Sequence, residues 1–154
     1  MVDIGAVQKK WQKRWAAAKL GEAERDESRK KFFLIWAYLT VSGFHHVGHI
    51  RGYSYADAVG RYKRMQGYNV LMPAGGHASG NGAIAKALKV QEGDKETIAY
   101  YKSYGLTTED LKKISTPEGF VDFFSERYVH DYNQYGFLGD WRRFTVTTYP
   151  DYNK

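Results

Sequence analysis

The chain contains no cysteine. That excludes disulfides and any zinc or iron–sulfur site held by thiolates, and it fits a reducing cytoplasm. No long hydrophobic run is present either: the longest apolar stretch, Phe32 to Val41, is half of the roughly 20 residues that span a bilayer. No cleavable leader pattern precedes it, because the first residues form a charged amphipathic stretch. A soluble, cytoplasmic protein with no membrane partner is the expectation. Internal repeats and low-complexity segments are also missing. Acidic residues are the minority charge, with Asp+Glu 17 against Lys+Arg 23 for a net +6. That excess suits polyanionic partners without proving one. Much of it sits in Lys9-Lys10, Lys13-Arg14 and Arg29-Lys30-Lys31, for which a solvated helix face is the plainer reading. At 154 residues the chain can form one ordinary domain with a real core.

What is present has an α/β pattern. Val7 to Leu20 reads as a helix with Trp11 and Trp15 one turn apart, expected in the core or at a docking surface. Gly21 ends it, and Glu22 to Lys31 is an exposed charged connection. Residues 1–31, a helix and its connection, are thus set apart from 32–154. Phe32 to Leu39 is a continuous apolar run, expected as a strand buried on both faces. Val47 to Gln66 is a helix with Ile50, Ala58, Val59 and Tyr62 on its apolar side, stopped by Gly67. Tyr68 to Met72 is a second short strand. Strand, helix and strand make a βαβ unit with parallel strands. Ala83–Val90, Lys95–Tyr104, Glu109–Ile114 and Glu118–Tyr135 read as additional helices, with Thr116 and Pro117 opening the last. Phe120, Phe123, Phe124, Arg127 and Tyr128 form a core stripe, His130 is structural, and Thr145 to Tyr149 is a closing strand.

Two segments carry chemistry. Ser42-Gly43-Phe44-His45-His46-Val47-Gly48-His49 is a turn from a strand into a helix, with two histidines three residues apart. Backbone N–H groups and the positive dipole end at a helix N-terminus favour anions, and imidazoles there can donate to phosphate oxygens. Pro73 ends the second strand, and Ala74-Gly75-Gly76-His77-Ala78-Ser79-Gly80-Asn81-Gly82 follows as a glycine-rich loop. Ligands in open α/β sheets collect outside the carboxyl ends of the strands, so His46, His49 and His77 are expected to face one crevice. The reading is nucleotide handling, with chemistry on phosphates.

These residues resemble the start of the class I aminoacyl-tRNA synthetases, most closely the N-terminal part of the archaeal-type leucyl enzymes, over nearly the whole chain. His46-Val47-Gly48-His49 is similar to the class signature "HIGH". Asp57-Ala58-Val59-Gly60-Arg61-Tyr62-Lys63-Arg64-Met65-Gln66-Gly67-Tyr68-Asn69-Val70-Leu71 resembles the family's D-x-x-x-R-x-K-R-M-Q-G-x-N-V-L stretch. Gly76-His77-Ala78-Ser79-Gly80 resembles the loop beside the amino-acid pocket, and Gly139-Asp140-Trp141-Arg142-Arg143-Phe144-Thr145 resembles the G-x-D-W-R-R-x-F-T pattern ahead of the editing insertion.

The resemblance implies the first half of a Rossmann-like catalytic domain over 32–154. It implies an ATP site at Gly43, His46, Gly48 and His49, with His46 and His49 stabilising charge during adenylate formation. Tyr38, Thr40 and His77 would bind the amino acid. ATP with Mg2+ would enter as the substrate complex, with no tightly held metal; leucine, tRNA and the remainder of the synthetase would be the partners. Leu39-Thr40-Val41, His45 and Ala74-Gly75-Gly76 depart from the family's usual residues around the pocket. No lysine-rich "KMSKS" loop is found, so the chain reads as an N-terminal piece that alone charges little or no tRNA. Two further readings are a non-catalytic paralogue binding nucleotide, RNA or a protein, and a small nucleotidyltransferase, which the Asp140–Arg143 match disfavours.

Overall fold

The computed structural model describes residues 1–152. Its residues fall into two compact units. The first comprises Met1–Ala37, His45–Gly75 and Val129–Phe144; the second comprises Tyr38–Phe44, Gly76–Tyr128 and the residues from Thr145 on. Residues 1–31 therefore share a unit with the first strand and the signature helix.

In the first unit β1 (Lys31–Phe33) pairs in parallel with β3 (Asn69–Leu71), Phe32 opposite Val70, and α2 (Val47–Met65) is the intervening helix. This is the expected βαβ unit. The first strand is shorter than its apolar run, and it is not buried on both faces. After Leu34 donates to the Leu71 carbonyl at 3.1 Å, pairing in this sheet stops. Phe33 and Ile35 are 61% and 49% exposed, whereas Trp36 is 2% exposed. The Trp36 ring is surrounded by Tyr53, Tyr132, Phe137 and Trp141 with centroids 5.3–5.8 Å away. A backbone that seats this indole cannot also continue a regular ladder.

The buried face of α2 also differs from the expectation. Val59 and Tyr62 are exposed, while Tyr53, Asp57 and Gly60 are buried. The reason is hydrogen bonding. Asp57 accepts from the Leu138 N–H at 2.8 Å and from Arg61 Nε at 2.6 Å. Arg61 donates to the Gly136 carbonyl and Arg64 to that of Leu138. Backbone groups of 136–138 that could not be left unpaired are thereby satisfied from the helix. Gly60 is the close-approach point, since a Cβ there would lie 2.2 Å from Met72 Sδ. Gly67 (φ +83°) ends the helix as expected. Helix α1 (Ile4–Ala17), capped by Asp3, starts and ends about one turn earlier than its sequence pattern suggested.

In the second unit β2 (Leu39–Thr40), β4 (Gly75–His77) and β5 (Thr145–Val146) form one sheet in the order β2-β4-β5, with β2 parallel to β4. Strand β4 lies within the segment read as a loop. Gly76 makes the pairing possible, because a Cβ there would stand 2.7 Å from Val41 Cγ2. Helices α3 (Asn81–Gln91), α4 (Lys95–Ser103), α5 (Thr108–Lys113) and α6 (Pro117–Gln134) follow. Thr116 accepts from the Gly119 N–H at 3.1 Å at the start of α6. Phe120, Phe124 and Tyr128 are buried as the stripe predicts, but Arg127 is exposed, its guanidinium over the Phe44 ring at 5.7 Å. Among the described residues no helix is long and apolar enough to cross a membrane.

Asp140 ties the first unit together. Fully buried, it accepts from the Ala23 N–H at 3.2 Å, Arg142 at 2.9 Å and Arg143 at 3.2 Å, and its own N–H donates to the Met72 carbonyl at 2.9 Å. Burial pushes its pKa upward, but the hydrogen bonds from Arg142 and Ala23 outweigh that and hold it below the ordinary carboxylate value. Its stabilising contribution is therefore complete above that value and is lost as pH falls through the lowered one. Asp140→Ala is expected to cost on the order of 3 kcal/mol, the low end for a broken buried pair, because Arg142 and Arg143 remain partly in water. Urea unfolding of the variant checks this, and a loss below about 1 kcal/mol would contradict it.

Candidate functional site

The first group of site residues opens α2. His46 is the N-cap, and its Nδ1 accepts from the Gly48 N–H at 3.1 Å. In return the His46 N–H donates to His49 Nδ1 at 3.3 Å, closing a reciprocal cap of the kind usually made by Ser/Thr with Glu/Gln. The two rings stack with centroids 3.7 Å apart and planes 27° from parallel. An Nδ1 that accepts carries no proton, so each neutral ring holds its proton on Nε2. Both rings are thus donors on the side facing away from the backbone. Gly48 suits this arrangement: a Cβ would crowd Cε1 and Nδ1 of His46 at 3.0 Å.

Packing disfavours the charged form of two neighbouring rings, His49 and His45. Burial, then the His46 ring, lowers the pKa of His49. His45 sits 5.1 Å from Tyr132 in a near-parallel stack and edge-on to His49 at 5.7 Å. Burial first, then His49 and His46, pushes its pKa down to about 4. His46 itself is exposed. Among the described residues, no three His, Asp or Glu side chains are grouped so as to hold a metal ion.

The second group belongs to the second unit. Thr40 and His77 are direct partners across β2 and β4, so their side chains share one face of that sheet. The Val41 N–H donates to the His77 carbonyl at 2.9 Å, and the His77 ring bonds the Ser79 hydroxyl through Nε2. Tyr38, two residues before Thr40, packs against Tyr152 at 6.3 Å; burial, then Tyr152, raises its phenol pKa. Gly43, at φ +124°, makes the turn that leaves β2.

Two residues that sequence reading assigned no site role hold this turn. The Tyr128 hydroxyl donates to the carbonyls of Gly43 (2.8 Å) and Thr40 (3.1 Å). The Lys86 ammonium donates to the Ser42 carbonyl, and burial holds its pKa below the usual lysine value. Tyr128 was legible only as a member of an apolar stripe, whereas the hydroxyl is what the turn uses. Lys86 lies in a helix with Lys89, both exposed at the surface, and no spacing marks it. Of the predicted residues, then, the structure brings His46 together with His49 and Gly48, and Thr40 together with His77.

Over residues 7–154 the chain matches the family described as tRNA synthetases class I (I, L, M and V). It is 38% identical to the leucine–tRNA ligase of Aeropyrum pernix, with 100% of this chain aligned to 16% of that protein. The leucine–tRNA ligase of Methanococcoides burtonii is 40% identical over 96% of this chain and 15% of its own length. Its fold is similar to that of the LeuRS of Agrobacterium radiobacter, solved in a ternary complex with tRNA and LeuAMS. The TM-score is 0.73 at 23% identity, over 99% of this chain and 16% of that one. The chain thus spans about one-sixth of the length of the relatives it matches.

The histidine cluster makes stability pH-dependent. His45 and His49 bind protons less readily in the folded chain than in the unfolded one. Their contribution is complete above the ordinary value of 6.5 and is lost as pH falls through the lowered values. Urea unfolding is expected to show stability falling between about pH 7 and about pH 4, with a smaller fall in His45→Leu. The same fall in both proteins would contradict the assignment.

Proposed function

The chain belongs to the class I tRNA synthetases (I, L, M and V), and on that premise we propose that it forms the ATP- and leucine-handling part of a leucine–tRNA ligase. The observation that carries the reading is the reciprocal cap. It occupies Nδ1 of His46 and His49 with backbone N–H groups and leaves two Nε2–H donors at a helix N-terminus. Such a corner suits the phosphates of ATP, delivered as its Mg2+ complex. In the reaction a carboxylate oxygen of leucine attacks the α-phosphorus, the bond to the leaving pyrophosphate breaks, and leucyl adenylate forms. His46 and His49 donate to the phosphate oxygens as charge builds on them, a role filled without reorganisation because the rings are already fixed. Gly43 and Gly48 keep the turn and helix start free of side chains that would obstruct the nucleotide.

On the amino-acid side, Tyr38 and Thr40 line the pocket for leucine. His77 accepts a hydrogen bond from the α-amino group. The archaeal leucine–tRNA ligases matched along the whole chain support leucine over the other members of the family. Tyr55, Val59 and Tyr62 on α2, with Phe33 on β1, leave apolar surface exposed, and we assign it to contact with the remainder of the synthetase. Transfer of leucine to tRNA belongs to the whole protein, in the cytoplasm.

ATP–pyrophosphate exchange by a full-length protein carrying this segment tests the reading. Leucine is expected to give the highest rate among leucine, isoleucine, valine and methionine, and a higher rate with another amino acid overturns the assignment. His49→Ala is expected to lower that rate roughly 10²–10³-fold, the effect of deleting a transition-state donor, with a smaller change in KM for ATP. An unchanged rate removes His49 from the mechanism.

A further inference from the structure

Helix α1 presents a surface that adenylate formation does not use. No residue of Ile4–Ala17 is buried, and the helix carries Lys9, Lys10, Lys13 and Arg14 with no acidic residue. None of these four cations has an ion-pair partner among the described residues, whereas Lys112 and Lys113 of α5 face Glu109 and Asp110 at 3.5 and 4.0 Å. The inner side of α1 is held by Gln8 and Gln12, whose amides donate to the Gln134 carbonyl at 2.9 and 2.7 Å. Alongside, Gln8, Trp11, Gln12, Trp15, Tyr135 and Gly136 line an open cleft of about 450 Å³. Trp11 and Tyr135 are each 44% exposed. The Arg14 guanidinium lies 5.1 Å from the Trp11 ring, so a cation already borders the aromatic face. A neighbouring open cleft adds Lys13 and Lys19, and the Glu22 carboxylate on its wall is paired with Arg142 at 3.2 Å.

We propose that the α1 cleft binds a single-stranded RNA segment, with a base against Trp11 and Tyr135 and adjoining phosphates on Lys10, Lys13 and Arg14. Aromatic faces that accept any base, beside cations with no carboxylate to neutralise them, are the elements by which single strands are held. A protein surface of ordinary mixed charge would leave the four cations uncompensated, and phosphates compensate them directly. The site needs neither ATP nor leucine, so it stands independently of the adenylation reading.

Fluorescence anisotropy of the 154-residue chain with a labelled oligoadenylate of about 12 nucleotides tests it. Lys10→Glu/Arg14→Glu is expected to weaken binding at least tenfold and to flatten its salt dependence. Trp11→Ala is expected to weaken it about fivefold, with Trp11→Phe keeping most of the affinity. The charge-matched control Lys112→Glu/Lys113→Glu should change affinity less than about twofold. Circular dichroism confirms that each variant remains helical. A control as costly as the α1 pair overturns the proposal by showing diffuse attraction. An unchanged affinity in Trp11→Ala also overturns it and leaves the cleft to a protein partner. Absence of saturable binding at physiological salt overturns it outright.

Discussion

A helix must find acceptors for the N–H groups of its first turn, and α2 finds them in two imidazoles. Its cap differs in kind from the usual ones. A serine hydroxyl or aspartate carboxylate would satisfy the backbone equally well, but an aspartate would bring negative charge to the position we propose for a phosphate. A neutral imidazole accepts from the backbone on one side and donates on the other. The same hydrogen bonds that start the helix therefore set the tautomer of His46 and His49. Gly48 suits this cap, because a Cβ there would crowd the His46 ring. Beside the cap His45 packs on Tyr132, where burial holds its own pKa down to about 4.

Away from the cap, the first unit is organised by polar contacts on its interior. Asp57, Arg61 and Arg64 from α2 bind the backbone of 136–138, and Asp140 gathers Ala23, Arg142 and Arg143 immediately after it. Two stretches far apart in the chain, Asp57–Leu71 and Gly139–Thr145, were singled out by their family resemblance. The structure shows them leading into one connected set of hydrogen bonds. Asp57, Arg61, Arg64, Asp140, Arg142 and Arg143 in these stretches serve the scaffold of the signature helix.

The helices, their caps and the parallel βαβ pairing were legible because they rest on local patterns: apolar spacing, Gly67 and the Thr116-Pro117 start. The buried side of α2 was not, since periodicity ranks Val59 and Tyr62 as inward and cannot see that Asp57 and Arg61 have backbone partners waiting. The run from Phe32 to Leu39 looked like one strand because every residue is apolar; Trp36 and its ring of aromatics break it, and its two ends join different sheets. Strand β4 was hidden by its glycines, which signal a loop but here admit Val41. Of the candidate site, the placing of His46, Gly48 and His49 at the start of a helix was readable from the local pattern, while their proposed roles came from the family resemblance. The register that sets Thr40 beside His77 depended on β4, and the Tyr128 and Lys86 contacts depended on tertiary distances.

The most direct measurement is the protonation site of each ring nitrogen in His46 and His49, read from their side-chain 15N resonances above the imidazole titration range. The cap places both protons on Nε2, with Nδ1 showing the shift of a hydrogen-bonded acceptor. A proton on Nδ1 of either ring would contradict the account, because that ring could not cap the helix and would offer no Nε2–H donor to a phosphate.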